Sequence, residues 1–417
     1  MRMREKKILA GVAVAAVMLY KPTMLGANLT PLGMILTALL VVYYCWRQGW
    51  QLQFLKSALA LMIPVAAYYG YRIIHAIVLS GQLDISILKA SGSVLFFVGA
   101  MSVLLADHDI RRLFVKGFIS LLVFFVCSYL LSLPFFFVLD HSVYALEVFG
   151  IDIPRYGYHF AIYFPLTPAT GRWTISGIQF LRLASLFREC GIAQLFYIWA
   201  FSECEHYFEK TRWIKVLLYL GVVFCFSTAG YICLIAFLGL KLLLSIRKNA
   251  GKQQARELLY VGIPLAVAVI AFSCIPGISI WNKNPDSLLP RLGSLPAALE
   301  AWSRHFIFGS LEMEIESTGN SMFQLCYRIG LVGLLLYYGI YFFAFKNAAD
   351  KRRFILGNVA ALLTLSLSQN IYDAPLVYLL ILLPYGGETD ITLSGSEVLA
   401  GLKNFKPSIL LKKGKQS

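Results

Sequence analysis

Long apolar runs alternate with short polar and mostly basic breaks along nearly the whole chain. Twelve such runs stand out, at 8–20, 32–46, 54–79, 85–105, 113–139, 192–202, 213–226, 231–246, 258–275, 322–345, 354–367 and 374–385. A helix rises 1.5 Å per residue, so about 20 apolar residues cross the roughly 30 Å of bilayer hydrocarbon. Most runs come close to that length; the sixth and the last two are short. The pattern predicts an all-α, polytopic membrane bundle of about 12 transmembrane helices. No internal repeat, low-complexity tract or soluble-domain boundary interrupts it.

The breaks are uneven. Ser227-Thr228-Ala229-Gly230 is a tight turn between the seventh and eighth runs, whereas two segments, about 140–190 and 276–321, are long. Loops of that length in a compact protein are usually functional. The first run follows Arg2, Arg4, Lys6 and Lys7, and Ala13-Val14-Ala15 mimics a signal-peptidase site. Eleven further runs behind it make an uncleaved first helix the expectation.

Composition agrees. Of 417 residues, 59% are hydrophobic and 14% charged, with a mean hydropathy of +0.70. Soluble domains carry roughly 25% charged residues, so a cytosolic enzyme, a secreted domain and a disordered chain are excluded. The balance of 37 basic and 22 acidic residues leaves +15. In a membrane protein this charge reports loop sorting, since cytoplasmic loops collect lysine and arginine. With a cytoplasmic N-terminus, 26 of the 37 fall on inside segments. They are Arg2, Arg4, Lys6, Lys7, Arg47, Lys56, Arg111, Arg112, Lys116, Lys210, Arg212, Lys215, Lys241, Arg247, Lys248, Lys252, Arg256, Lys346, Lys351, Arg352, Arg353, Lys403, Lys406, Lys412, Lys413 and Lys415. The expected topology has both termini inside and both long loops outside. Residues 386–417 then form a flexible, basic cytoplasmic tail, whose segment 408–415 could rest on anionic lipid. Nucleic acid is not implied.

The eight cysteines (Cys45, Cys127, Cys190, Cys204, Cys225, Cys233, Cys274 and Cys326) form no metal spacing, and most lie within the runs. Asp107-His108-Asp109 matches the DxD by which some sugar transferases hold a metal, but it sits beside Arg111 and Arg112 in a short inside loop. It reads better as a topology signal. Glu312, Glu314 and Glu316 alternate without an evident fourth ligand. No metal or cofactor is expected.

Two readings stand for Arg72 and His75, which end the third run three residues apart, with Lys89 opening the fourth. They snorkel to the interface, or they serve a site. The arginines expected outside need a reason, because sorting works against them. They are Arg155, Arg172, Arg182 and Arg188 in the first long loop, Arg291 and Arg304 in the second, and Arg328 just inside the following run. Long translocated loops carry charge regardless of sign, which accounts for Arg155 and Arg172. Arg182 and Arg188 lead directly into the sixth run. A guanidinium fork there matches phosphate oxygens.

Four segments carry a family resemblance. Residues 182–194 read RLASLFRECGIAQ, 226–231 FSTAGY, 291–309 RLGSLPAALEAWSRHFIFG and 320–333 NSMFQLCYRIGLVG. In order and spacing they resemble the bacterial Wzy-type polysaccharide polymerases and the related O-antigen ligases. Cys190 replaces a usual Pro, Thr228 a frequent Arg, and His305 lies near a usual Pro. The ligases carry a histidine two residues before the position of Asn320. Thr318 stands there, which favours polymerase over ligase. The resemblance implies a GT-C-type glycosyltransferase of the bacterial inner membrane, with residues 1–385 as its transmembrane catalytic unit. It would act on polyprenyl (undecaprenyl) diphosphate-linked oligosaccharide as donor and acceptor, among membrane lipids, with a chain-length regulator as a possible protein partner. Arg182, Arg188, Arg291, Arg304, Asn320, Arg172 and Arg72 would hold diphosphate or sugar. Glu189 is the first candidate for general base, ahead of His159, His305 and Asp152. The catalytic set is Glu189, Arg188 and His305. Gly330 and Gly333 are expected to permit close helix packing. Tyr156, Tyr158, Phe160, Tyr163, Phe164 and Trp173 would form an interfacial belt. A twelve-span lipid-oligosaccharide flippase is the competing class, but the expected halves of a transporter are not visible.

Overall fold

The computed structural model describes residues 1–82, 84–138, 145–147, 161–175, 178–246, 299–310, 321–367, 371–383 and 390–393. The ninth run, part of the first long loop, most of the second and most of the tail lie outside the described residues. The described chain is mostly helical. Its elements are α1 (Met3–Val17), α2 (Gly26–Arg47), β1 (Leu52–Leu55), α3 (Lys56–Ser80), α4 (Ile85–Leu104) and α5 (His108–Val138), then β2 (Ala145–Glu147), β3 (Ala161–Tyr163), β4 (Thr167–Ile175) and β5 (Ile178–Leu183). After these come α6 (Cys190–Tyr207), α7 (Arg212–Phe224), α8 (Thr228–Ile246), α9 (Ser321–Asn347), α10 (Lys351–Leu367), a 3-10 turn (Pro375–Tyr378), α11 (Leu379–Leu382) and β6 (Asp390–Leu393).

Five described segments are long and apolar enough to cross a membrane: Asn28–Arg47, Leu61–Ser80, Ile85–Leu104, His108–Phe137 and Leu325–Asn347. By that criterion the chain is a multi-pass membrane protein. Two short runs differ from expectation in instructive ways. The sixth extends to Tyr207 because its polar end is neutralised. Glu203, fully buried, accepts from Arg353 Nε at 3.0 Å and Nη2 at 2.5 Å. Glu205 takes Lys215, and Lys241 at 3.3 Å. Burial alone would raise the Glu205 carboxyl, but these two lysines outweigh it and hold the group below its ordinary range. The twelfth run is not one straight helix: the 3-10 turn opens on Pro375, whose missing N–H suits a helix start.

Before Cys190, the described part of the first long loop contains no helix. Its Ile-, Thr- and aromatic-rich residues build a four-stranded antiparallel sheet in the order β2-β3-β4-β5, with a register shift between Ala169 and Arg172. Tyr129 of α5 donates to Leu181 O at 2.7 Å and pins β5 to the bundle. At the opposite end β1 pairs with β6, so part of the C-terminal tail closes back on the bundle.

That opposite end, where the chain begins, gathers ion pairs. Lys6 Nζ bridges Asp107 at 2.9 Å and Asp109 at 2.8 Å, and Arg47 meets Glu5 at 2.5 Å. Asp107 Oδ1 also accepts from Asp109 N at 2.9 Å and Ile110 N at 3.2 Å, capping α5. The DxD-like triplet is thus a helix cap occupied by a lysine. Among the described residues no cluster of His, Cys, Asp or Glu could hold a metal.

Candidate functional site

At the sheet end, the four motif segments pack in two pairs. Leu181 and Leu183 of β5 are buried in the core, so strand alternation turns Arg182 to the other face. There it is close enough to Cys225 and Tyr231 to act on them electrostatically. Its Nε is buried with no hydrogen-bond partner. The chain then reverses through Ser185, a buried non-glycine residue at φ 54°, whose Oγ lies 2.5 Å from Tyr197 Oη. Left-handed backbone at a non-glycine residue costs about 1–3 kcal/mol and concentrates at functional sites. The turn places Arg188 and Glu189 at the mouth of α6. Phe187 stacks on Phe196 at 4.4 Å and fixes that entry. Glu189 is the N-cap residue, half-buried, and its carboxylate has no partner among the described residues.

The second motif packs on the first. Phe226 (φ 45°) meets Phe180 at 5.7 Å. A Cβ on Gly230 would fall 1.4 Å from Gln194 Oε1, so only glycine lets α8 approach α6 there. The Gln194 amide is fully buried with no hydrogen-bond partner.

The third and fourth motifs form the other pair. The segment 305–310 docks on α9 where Gly330 breaks the helix at φ 63°, facing Gly309 at φ 79°. Ser310 N donates to Tyr327 O at 2.7 Å, Leu331 N to Phe306 O at 3.0 Å and Val332 N to Ile307 O at 3.1 Å. Tyr71 Oη bridges Phe308 O at 3.2 Å and Ile329 O at 2.9 Å, and the buried His75 stacks beside it at 5.5 Å.

The pairs are linked by Arg72 and Arg328, which the sequence pattern singled out, and by Asp373 and the turn 18–26, which it did not. Arg72, 12% exposed, forms an ion pair with Asp373 and lies over the rings of Tyr68, Tyr69 and Tyr372 at 5.6–5.7 Å. Arg328 Nη1 reaches Tyr372 Oη at 3.4 Å, and its buried Nε is without a hydrogen-bond partner. The turn 18–26 then joins this cluster to the first motif. Lys21 O accepts from Leu376 N at 3.1 Å, Pro22 O from Arg188 N at 3.2 Å, and Leu186 O accepts from Met24 N at 2.8 Å. One signal for Asp373 was readable: an acid heading an apolar run at the same expected side as Arg72.

The remaining candidates fall apart from this cluster or beyond view. Arg304, 70% exposed, pairs with Glu300 at 2.6 Å, and His305 is exposed. Arg172 lies in β4. Arg155, Arg291, Asn320, His159, Asp152, Glu312, Glu314 and Glu316 lie outside the described residues. Cys190 is buried at the start of α6, and the described cysteines are all free. Comparison of the chain with protein-family models, with curated proteins and with solved structures gives no match.

Proposed function

We propose that the chain is a membrane glycosyltransferase of the Wzy polymerase type. It would have about twelve spans in GT-C-like arrangement, with both termini cytoplasmic and the sheet end outside the inner membrane. It joins polyprenyl diphosphate-linked oligosaccharide repeat units into a surface polysaccharide such as O-antigen, capsule or exopolysaccharide.

The observation that carries this reading is the pair of buried guanidinium N–H groups on Arg182 and Arg328 without acceptors, at the end where Arg188 and Arg72 also lie. A buried donor without an acceptor costs roughly 1–3 kcal/mol, a cost that an anionic ligand removes. In the reaction a sugar hydroxyl of the acceptor attacks the anomeric carbon of the donor, and the lipid diphosphate departs. Negative charge grows on the departing diphosphate, and fixed guanidinium groups stabilise it without reorganising. Glu189, beside Arg188 and free of a partner among the described residues, would take the hydroxyl proton. The exposed apolar helix faces suit a polyprenyl tail.

The test is reconstitution of the purified chain with a synthetic polyprenyl diphosphate repeat unit alone. A ladder of longer lipid-linked glycans is the expected result. Transfer only after a separate lipid or protein acceptor is added would replace polymerase with ligase.

A further inference from the structure

At the end where the chain begins, α1 and α5 run side by side and leave a lipid-facing groove of about 510 Å³ between them. Its walls are Ala10, Gly11 and Val14 of α1 and Leu113, Gly117, Leu121 and Phe124 of α5, with Ser120 alongside and Lys7 at the mouth. Two glycines shape it. A Cβ on Gly117 would touch Val14 Cγ2 at 3.3 Å, so the helices close there, whereas a Cβ on Gly11 would meet nothing within 4 Å. The helices touch at Val14 and Gly117, while Gly11 faces open space.

The two basic residues beside this groove have different environments. Lys6 is taken up by Asp107 and Asp109. Lys7, the next residue, is exposed, lines the groove and has no ion pair among the described residues. Arg4 lies one turn earlier on the same helix face, and Arg112 is exposed near the start of α5. Asp107 and Asp109 already hold Lys6.

The groove has the length of one leaflet. From Lys7 to Val14 a helix rises roughly 10 Å, and from Leu113 to Phe124 roughly 16 Å. Half of the roughly 30 Å hydrocarbon is about 15 Å. In a bilayer crossed by α5, Lys7 would then stand at the headgroup level and the apolar walls would run toward the midplane.

We propose that this groove is a binding site for an anionic glycerophospholipid, with one acyl chain along Gly11 and Gly117 and its phosphate on Lys7. The site lies at the opposite end of the bundle from the arginine cluster and is independent of the glycosyltransferase reading. Lys7 is then a ligand-binding residue, while Lys6 serves the fold.

The test is native mass spectrometry of the delipidated full chain, titrated with palmitoyl-oleoyl phosphatidylglycerol or with phosphatidylcholine of the same chains. The first phosphatidylglycerol should bind at least tenfold tighter than phosphatidylcholine. Lys7→Gln should abolish that preference and Lys7→Arg keep it. Gly11→Phe, which projects into open space and replaces a poor helix former, should leave the fold intact and weaken both lipids at least tenfold. Equal binding of the two lipids by the unaltered chain, or unchanged binding in Gly11→Phe, would overturn the proposal. So would a dimer that Gly11→Phe dissolves, because the groove would then seat a second copy of the chain.

Discussion

The main-chain nitrogen of Arg188 donates to the carbonyl oxygen of Pro22 at 3.2 Å. A residue at the mouth of α6 is thereby held by the turn between the first two helices, more than 160 positions earlier in the chain. The next carbonyl back, on Lys21, holds Leu376, three residues past Asp373. Positioning of the arginines thus depends on a turn that carries none of them.

Thr23 keeps that turn in shape. Its hydroxyl donates toward Met18 O at 2.6 Å and Tyr20 O at 2.8 Å, and it accepts from Gly26 N at 2.9 Å. Thr23→Val preserves volume but leaves buried polar groups unpaired, a loss of about 1–3 kcal/mol. A lowered thermal midpoint in detergent, together with reduced turnover, is expected. An unchanged midpoint would show that the turn is held by other contacts.

Asp373 is the counter-charge of Arg72. Removing one partner of a buried pair costs about 3–5 kcal/mol. Asp373 is 32% exposed, so solvent reduces the cost to about 2 kcal/mol. Asp373→Ala should therefore destabilise the protein more than the double variant Arg72→Met/Asp373→Ala, measured as a double-mutant cycle by thermal unfolding.

Gly230 is required by its neighbour. Gly230→Ala would place a methyl group against the Gln194 amide and cost about 1–3 kcal/mol. Adding Gln194→Ala should recover most of that loss. A cycle with no coupling would mean that α6 and α8 separate freely.

These cases show what the sequence reveals and what it leaves hidden. Apolar run lengths located α1 to α11, though not the helical residues 299–304 of the second long loop, because a helix in lipid must satisfy its own backbone and announce itself by hydropathy alone. The motif glycines at 230 and 330 were visible as residue types. Their pairing with Gln194 and Gly309 was not, since pairing across more than twenty residues leaves no local pattern. The β2–β5 sheet was missed because its strands are short and their alternation weak beside the helices. Asp373 and the turn 18–26 reach the site through tertiary packing of separate helices. The basic residues at the opposite end were legible as a topological set, but only coordinates separate Lys6, bound to two acids, from Lys7.

Acid should weaken that same end at Glu205. Its carboxyl titrates below the ordinary range, so its stabilising contribution is present above the unfolded value of about 4.3 and is lost as pH falls through the folded value. Lys215→Met should lower the thermal midpoint at pH 7 by the equivalent of about 0.5–1 kcal/mol for a half-exposed pair. The gap between variant and unaltered protein should narrow below pH ~4. A gap that stays constant down to pH ~3 would remove the electrostatic account of this helix end.

The central claim is that guanidinium groups at the sheet end stabilise a departing diphosphate. The direct measurement compares chain growth from a synthetic polyprenyl diphosphate repeat unit by reconstituted unaltered protein, Arg182→Gln and Arg188→Gln, with folding checked by thermal midpoint. The account predicts a ladder from the unaltered protein and at least a hundredfold slower growth from each variant, the scale on which single charge-stabilising donors act. Ladder formation at the full rate by both folded variants would contradict it.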